Sequence, residues 1–256
     1  MYMRLFGKST NPMFNEKNFA KVKTATIEER RNGSPIFDDS TAMTASGAVN
    51  KTLVLSGVLM ITALWSYMNP MQIFMPIGFL GAAGVMMLTS FKPHLAPMTA
   101  PVFALLEGLA VGTVSAIYAA QFGGIIFQAV SLTIATLIAM LMIYKSGLIK
   151  VTAKFRMGVS MAVGAIMITY LISWIGSFVG FEVPFIHDST PLGIGITVVI
   201  IGVAALNLLL DFDNFEKGEQ AAAPKHMEWF FGMGLLFTIV WLYVEFLRLL
   251  GKLQSD

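Results

Sequence analysis

Seven runs of apolar residues divide the sequence after residue 50, and each is about as long as a helix that crosses a bilayer. Roughly 20 helical residues span a hydrocarbon core of about 30 Å. The runs lack the alternation of apolar and polar residues that strands of a membrane β-barrel show. We therefore predict an all-α membrane protein, a bundle of seven transmembrane helices near residues 52–68, 72–90, 98–120, 123–143, 157–179, 191–210 and 229–250.

The composition excludes several other classes of protein. Hydrophobic residues make up 56% of the chain and charged residues only 12%, about half the charged share of a typical soluble domain. The formal net charge of +2 gives no indication of nucleic-acid binding. The sequence contains no cysteine, which excludes disulfides and thiol chemistry.

The apolar runs leave two polar ends. Residues 1–51 hold no apolar stretch, so we expect a mobile cytoplasmic tail and no cleavable signal peptide. Residues 52–250 form the predicted membrane domain, and residues 251–256 form a short C-terminal tail. The connector "NPMQ" between the first two runs is short, which predicts that these two helices form a hairpin.

Basic residues indicate the orientation of the bundle. Fifteen of the seventeen Lys and Arg residues lie before the first run or in the second, fourth and sixth connections. The first, third and fifth connections contain none. Because Lys and Arg concentrate on the cytoplasmic side of a membrane, we expect a cytoplasmic N-terminus and a C-terminus on the outside.

Sequence motifs of enzymes are missing. The chain has no HExxH, GxSxG or GxxxxGK[ST] pattern, and it lacks the GxGD motif that an intramembrane aspartyl protease would need. The histidines His94, His187 and His226 fall in three different connections, so we interpret them as interfacial residues rather than as a metal site. We therefore expect no catalytic activity.

Glu107 is the most deeply placed acidic residue of the predicted helices. It lies about nine residues inside the third run, which is roughly 13 Å at 1.5 Å per residue. One interpretation is a proton or cation site inside the bundle, because acids at this depth are expensive and usually functional. The other is a neutral acid that is hydrogen-bonded to a neighbouring helix. Gly108 and Gly112 beside it form a small-xxx-small pair, which predicts close helix packing.

A second acidic group lies in "LNLLLDFDNFEKG", at the end of the sixth run. Helical spacing places Asn207, Asp211 and Asn214 on one face of the helix. We interpret this polar stripe as a candidate ion site. Asp213 is rotated by roughly 200° from Asp211, so we expect a solvated residue paired with Lys217. The alternative is that both aspartates merely mark the end of the membrane span.

The order and spacing of these segments resemble the Bax-inhibitor, or transmembrane Bax-inhibitor-motif, family. The similarity rests on "FALLEGLAVG" at 103–112, "NLLLDFDNFEKG" at 207–218 and "APKHMEWFFGMGLLFTIVWLYVEFLRLL" at 223–250. It extends over about residues 50–250, and the N-terminal "NPMFNEK" resembles a bacterial branch. The resemblance implies a seven-helix bundle whose last helix is surrounded by the other six, and a pH-sensitive calcium leak across a bacterial inner membrane.

The family's pH sensor is a pair of aspartates on the sixth and seventh helices that share a proton. The resemblance assigns the first to Asp211, with Asp213 as a possible alternative register. Thr238 stands where the second would be, and a basic partner on the second helix is absent. Farther along the last helix, Glu245 is expected to pair with Arg248 at i+3.

Calcium prefers several oxygen ligands, so Asp211 and Glu228, with Asn207 and Asn214, are candidate calcium ligands at the cytoplasmic mouth. We therefore expect a cation leak, with calcium as the transported or bound ion and no other cofactor. The alternatives are a non-conducting partner of another membrane protein, such as a membrane protease, and a proton-coupled transporter that uses Glu107.

Overall fold

A computed structural model describes residues 42–177 and 188–255. The tail predicted for residues 1–51 falls mostly on residues outside this part, as does His187. Seven helices are long and apolar enough to cross a membrane, and no β-strand occurs in the described ranges. The helices are α1 (Ala45–Met68), α2 (Phe74–Phe91), α3 (Ala96–Gln121), α4 (Ile125–Ser146), α5 (Ala153–Ser177), α6 (Pro191–Gln220) and α7 (Met227–Gln254). The predicted all-α class is confirmed.

The helix boundaries follow local capping signals. Thr44 precedes α1, and its side chain accepts a hydrogen bond from the Gly47 backbone N–H at 2.9 Å. Thr190 caps α6 in the same way. These hydroxyls satisfy backbone donors that a helix start leaves without intrahelical partners. Gly147 ends α4 with φ of 68°, a left-handed conformation that glycine adopts at little cost.

Helix α6 continues well beyond the apolar run that predicted it. The run ends near residue 210, whereas the helix ends at Gln220. Asp211, Asp213 and Asn214 are therefore helical residues with a fixed rotational phase, and the helix does not end at the aspartates. Their positions can be interpreted by the side of the helix on which each one lies.

Helix α3 packs closely against both α1 and α2. A Cβ atom on Gly112 would overlap the backbone of Ala63 in α1, and one on Gly78 of α2 would lie 2.6 Å from the Ala110 Cβ. The close helix approach predicted from Gly108 and Gly112 is confirmed. The predicted hairpin of the first two helices is not the main packing unit, because α1 and α2 make their extensive contacts with α3 rather than with each other.

Helix α7 lies at the centre of the bundle, as the family resemblance implied. It packs against α1, α3, α4 and α6, and its apolar stretch is 67% buried, the largest share among the seven helices. Helix α5 is at the other extreme, with 11% buried, and its extensive contacts are with α6 alone. The bundle therefore has a central helix and a peripheral one.

Large apolar side chains cover the outer surface of the bundle. Leu53, Ile61, Phe91 and Phe127 are 65–81% exposed. Such a surface is unfavourable in water but suits hydrocarbon. With seven helices of sufficient length, it identifies a multi-pass membrane protein.

Candidate functional site

Asp211 of α6 forms a polar cluster with α7 in the middle of an otherwise apolar interface. Its Oδ2 atom accepts a hydrogen bond of 2.7 Å from the Thr238 hydroxyl. The Asn207 amide donates to Thr238 Oγ1 at 3.0 Å and reaches Asp211 Oδ2 at 3.4 Å. We call Asn207, Asp211 and Thr238 the Asp211 cluster. Asp211, not Asp213, is therefore the aspartate that faces Thr238.

A cleft of about 150 Å³ gives access to this cluster. Its lining includes Asp211, Asn214, Ser90 of α2 and Phe230 and Gly234 of α7. Carboxylate, amide and hydroxyl oxygens are the ligand types that hard cations prefer. The carboxylate is thus hydrogen-bonded to α7 on one side and borders a small cleft on the other, whose remaining lining is largely apolar and includes Met86, Phe215, Phe231 and Met233.

Asp213 has a different set of partners. It forms ion pairs with Arg156 of α5 and with Lys217, the latter at 2.7 Å. Arg156 also donates to Asn214 Oδ1 at 2.7 Å. The predicted pair with Lys217 is confirmed. The predicted solvation is wrong, because the Asp213 side chain is only 13% exposed and Arg156 covers it.

Glu228 lies in a separate cluster at the start of α7. Its side chain is 1% exposed, and Oε1 accepts from the Thr44 N–H at 3.0 Å and pairs with Lys225 Nζ at 3.0 Å. Glu228 precedes Thr238 by ten residues, which is roughly 15 Å along a helix. The structure therefore does not bring Asp211 and Glu228 together as the two carboxylates of one site.

Glu107 lies inside the bundle and away from lipid. It is 4% exposed, and helical spacing puts it on the same side of α3 as Val111 and Ser115. Ser115 in turn forms a hydrogen bond of 2.7 Å with Tyr243 of α7. The interior position predicted for Glu107 is thus confirmed. Among the described residues, no hydrogen bond or ion pair joins Glu107 to Asn207, Asp211 or Thr238, so it is a second acidic position.

A further polar group lies near the C-terminal end of α7. Arg248 Nη1 contacts both carboxylate oxygens of Glu245 at 3.0 Å, which confirms the predicted i+3 pair. Tyr170 of α5 donates to Glu245 Oε1 at 2.8 Å, and Trp241 Nε1 donates to it at 3.2 Å. We call Tyr170, Trp241, Glu245 and Arg248 the Glu245 cluster. The sequence pattern identified the ion pair but gave no signal for Tyr170, which is 75 residues away.

Comparison with curated proteins gives no match, and comparison with solved structures gives none either. A family model described as Bax inhibitor 1 like matches residues 11–255, nearly the whole chain. The match includes all seven helices and every residue of the clusters described above. The chain therefore belongs to the Bax inhibitor 1 like family.

Proposed function

We propose that this multi-pass membrane protein is a cation leak channel, with calcium as the most suitable ion, whose conductance depends on the protonation of Asp211. The observation that carries the proposal is the position of that carboxylate. It lies on a membrane-spanning helix, accepts a hydrogen bond from Thr238 of the central helix and borders a cleft. An acid in such a position is costly to maintain and is usually functional.

Ionised Asp211 would act in two ways. Its negative charge attracts a cation into the cleft, where Ser90 supplies a further oxygen. It also accepts a hydrogen bond from the Thr238 hydroxyl and so links α6 to α7. Protonation removes the charge and turns one carboxylate oxygen into a donor. The hydrogen bonds of Asp211, Asn207 and Thr238 must then rearrange, which couples pH to the α6–α7 interface.

This arrangement differs from the paired aspartates that the family resemblance implies. The residue opposite Asp211 is Thr238, whose hydroxyl donates a hydrogen bond but carries no charge at neutral pH. A single carboxylate takes up one proton independently, whereas two neighbouring carboxylates titrate as a unit. We therefore propose a one-proton sensor in this protein.

The ion pairs of Asp213 support a structural role for that residue. Arg156 belongs to α5 and Asp213 to α6, so their pair ties the peripheral helix to the bundle beside the cleft. Because Arg156 and Lys217 both neutralise it, Asp213 is a poor candidate for binding a mobile cation. Asp211, which has no ion pair among the described residues, is the better one.

Two further elements of the proposal rest on the sequence. We propose that the protein lies in a bacterial inner membrane with its N-terminus in the cytoplasm, because fifteen of seventeen basic residues are on that side. We also propose that it is not an enzyme, because the chain carries no HExxH, GxSxG, GxxxxGK[ST] or GxGD motif.

The experiment that tests this function is calcium flux through the purified protein in liposomes, measured over a series of pH values. We expect a flux that changes with pH and that requires the protein. Liposomes that stay impermeable to calcium at every pH would contradict the channel and favour the alternative of a non-conducting membrane partner.

The buried position of Glu107 favours a second candidate, a proton-coupled transporter. Glu107 is 4% exposed in the interior of the bundle, where an acid can take up and release a proton away from bulk water. Such a transporter would move protons only when its substrate is present. Calcium flux that is not accompanied by proton movement would favour the channel.

A further inference from the structure

The polar side chains of α7 recur on one side of the helix. Thr238, Glu245 and Lys252 are spaced by seven residues, which is close to two helical turns. Thr238 belongs to the Asp211 cluster, and Glu245 to the Glu245 cluster. Lys252 donates to the Gly193 carbonyl and to Thr197 Oγ1, both at 3.1 Å and both on α6. Polar contacts therefore follow the central helix at three levels.

The facing side of α6 shows a matching pattern. Asp211, Asn207 and Thr197 are polar, and Ala204 and Ile200 lie between them at helical spacing. Ala204 is 0% exposed and Ile200 is 7% exposed. On α7, Leu242 lies between Thr238 and Glu245 and is 0% exposed, and Trp241 of the Glu245 cluster is buried beside it. Because Asp211 contacts Thr238 and Thr197 contacts Lys252, Ala204 of the antiparallel helix α6 lies at about the level of Glu245. These two apolar residues of α6, the apolar segment, are therefore level with the Glu245 cluster.

Tyr170 connects the Glu245 cluster to a helix that is otherwise held loosely. Its hydroxyl donates to Glu245, it accepts a hydrogen bond from Arg248, and the Arg248 guanidinium carbon lies 4.9 Å from its ring centroid. Helix α5 has its extensive contacts with α6 alone. Breaking the Tyr170 contacts would therefore remove the hydrogen bonds by which this cluster joins α5 to the central helix.

A cleft of about 280 Å³ lies on the far side of this cluster. Arg248 and Lys252 line it, together with the polar side chains of Gln121 and Ser255. The order of features along α6 and α7 is then a cleft, the Asp211 cluster, the Glu245 cluster with the apolar segment level with it, and a second cleft. Two clefts with a buried level between them are what a closed pathway for ions would show.

We propose that the Glu245 cluster is a second gate, in series with Asp211, and that Tyr170 is the residue that holds it closed. The proposal rests on the proposed channel function and adds the position and chemistry of the other end of the pathway. In the closed state Arg248 neutralises Glu245, so this level offers no net charge to a cation. Release of Tyr170 separates α5 from α7 and opens the apolar segment to the second cleft.

The test uses the absence of cysteine from this chain, which makes a single introduced cysteine a clean reporter. Ala204→Cys places the reporter in the apolar segment. It is labelled in intact cells by a membrane-impermeant cationic thiol reagent, with and without Tyr170→Phe. Leu253→Cys, at a side chain that is 53% exposed near the end of α7, identifies the side of the membrane from which the reagent must act.

Tyr144→Phe is the matched control. Tyr144 makes the same type of bond, from its hydroxyl to Glu216, but it lies between α4 and α6 and outside the Glu245 cluster. We expect Tyr170→Phe to increase the labelling rate of Ala204→Cys about tenfold, equivalent to about 1.4 kcal/mol in the gate equilibrium. Tyr144→Phe should leave the rate unchanged.

Two outcomes would overturn the gate: an unchanged labelling rate in Tyr170→Phe, or an equal increase in Tyr144→Phe. Labelling does not depend on ion flux, so the gate and the channel can fail separately. Increased labelling in a protein that passes no calcium in liposomes would support the gate and contradict the channel. Calcium flux that persists while labelling stays unchanged would support the channel and contradict the gate.

Discussion

The Thr238 hydroxyl donates a hydrogen bond of 2.7 Å to Asp211, and this contact joins α6 to the central helix α7. The same hydroxyl accepts from the Asn207 amide at 3.0 Å. Both of its hydrogen-bonding functions are thus engaged inside the bundle. Any change in the charge of Asp211 has to alter this set of bonds, so the predictions about pH begin at this pair.

Asp211→Asn and Asp213→Asn should have different effects on calcium flux. Asp211→Asn removes the ionisable group that borders the cleft, so we expect lower flux and a flat dependence on pH. The amide keeps the size of the side chain and can still accept from Thr238. Calcium flux into liposomes, measured from about pH 5 to about pH 8, checks this expectation.

Asp213→Asn is the matched comparison, because the same chemical change occurs two residues away. We expect its pH dependence to remain that of the unmodified protein. Its stability should fall, because Arg156 and Lys217 lose a common partner. A solvent-exposed ion pair at i,i+4 contributes only about 0.3–0.5 kcal/mol to stability. Because the Asp213 side chain is only 13% exposed, we expect a larger loss of stability. A flat pH dependence in Asp213→Asn would mean that the sensor is in the other register.

Thr238→Asp should create the pair of carboxylates that the family resemblance implies. The new side chain would lie beside Asp211, where the hydroxyl now lies at 2.7 Å. Two carboxylates at such a distance cannot both ionise freely, so they share a proton and titrate as a unit. We expect the pH dependence of flux to move to higher pH and to broaden into two steps. A profile identical to that of the unmodified protein would argue against a sensor at this position.

The fold could be predicted from the sequence because the signals for it are local. Runs of about 20 apolar residues identify spanning helices whatever their neighbours are. Helical phase separated Asp211 from Asp213, and i+3 and i+4 spacing predicted the pairs of Glu245 with Arg248 and Asp213 with Lys217. These contacts depend on one helix only.

Contacts between residues that lie far apart in the sequence could not be predicted in this way. Arg156 meets Asp213 across 57 residues, and Tyr170 meets Glu245 across 75. Neither pair has a characteristic spacing, because the distance along the chain depends on the lengths of the intervening helices and connections. For the same reason, the sequence did not reveal the surroundings of Glu228. We grouped this residue with Asp211 as a candidate calcium ligand, but it packs instead against Thr44 at the start of α1.

Glu107→Gln tests whether the buried acid is functional or structural. The amide retains hydrogen-bonding capacity and nearly the same volume, so we expect a folded protein with an unchanged helical circular-dichroism spectrum. If Glu107 exchanges protons during transport, flux or its pH dependence should change. Unchanged flux at all pH values, in a protein with normal stability, would leave only the structural interpretation for this side chain.

The topology follows from the distribution of basic residues and can be measured directly. Reporter fusions should place residues 30 and 220 in the cytoplasm and residue 256 outside, because Lys and Arg are retained on the cytoplasmic side. Seven spanning helices require the two ends of the chain to lie on opposite sides. A cytoplasmic C-terminus would be incompatible with seven complete spans.

Gly112→Ala should weaken the packing of α1 against α3. A Cβ atom at this position would lie 2.9 Å from the Ala63 Cα and closer still to its carbonyl oxygen, so the two helices would have to separate. Overpacking of this kind typically costs about 1–3 kcal/mol. Gly57→Ala in α1 is the control, because no described atom beyond its own helix lies within 4 Å of a Cβ there. Alanine is favoured over glycine inside a helix by roughly 0.5–1 kcal/mol, so this variant should be neutral or slightly stabilised. Thermal unfolding in detergent compares the two, and equal midpoints would show that the α1–α3 interface yields without cost.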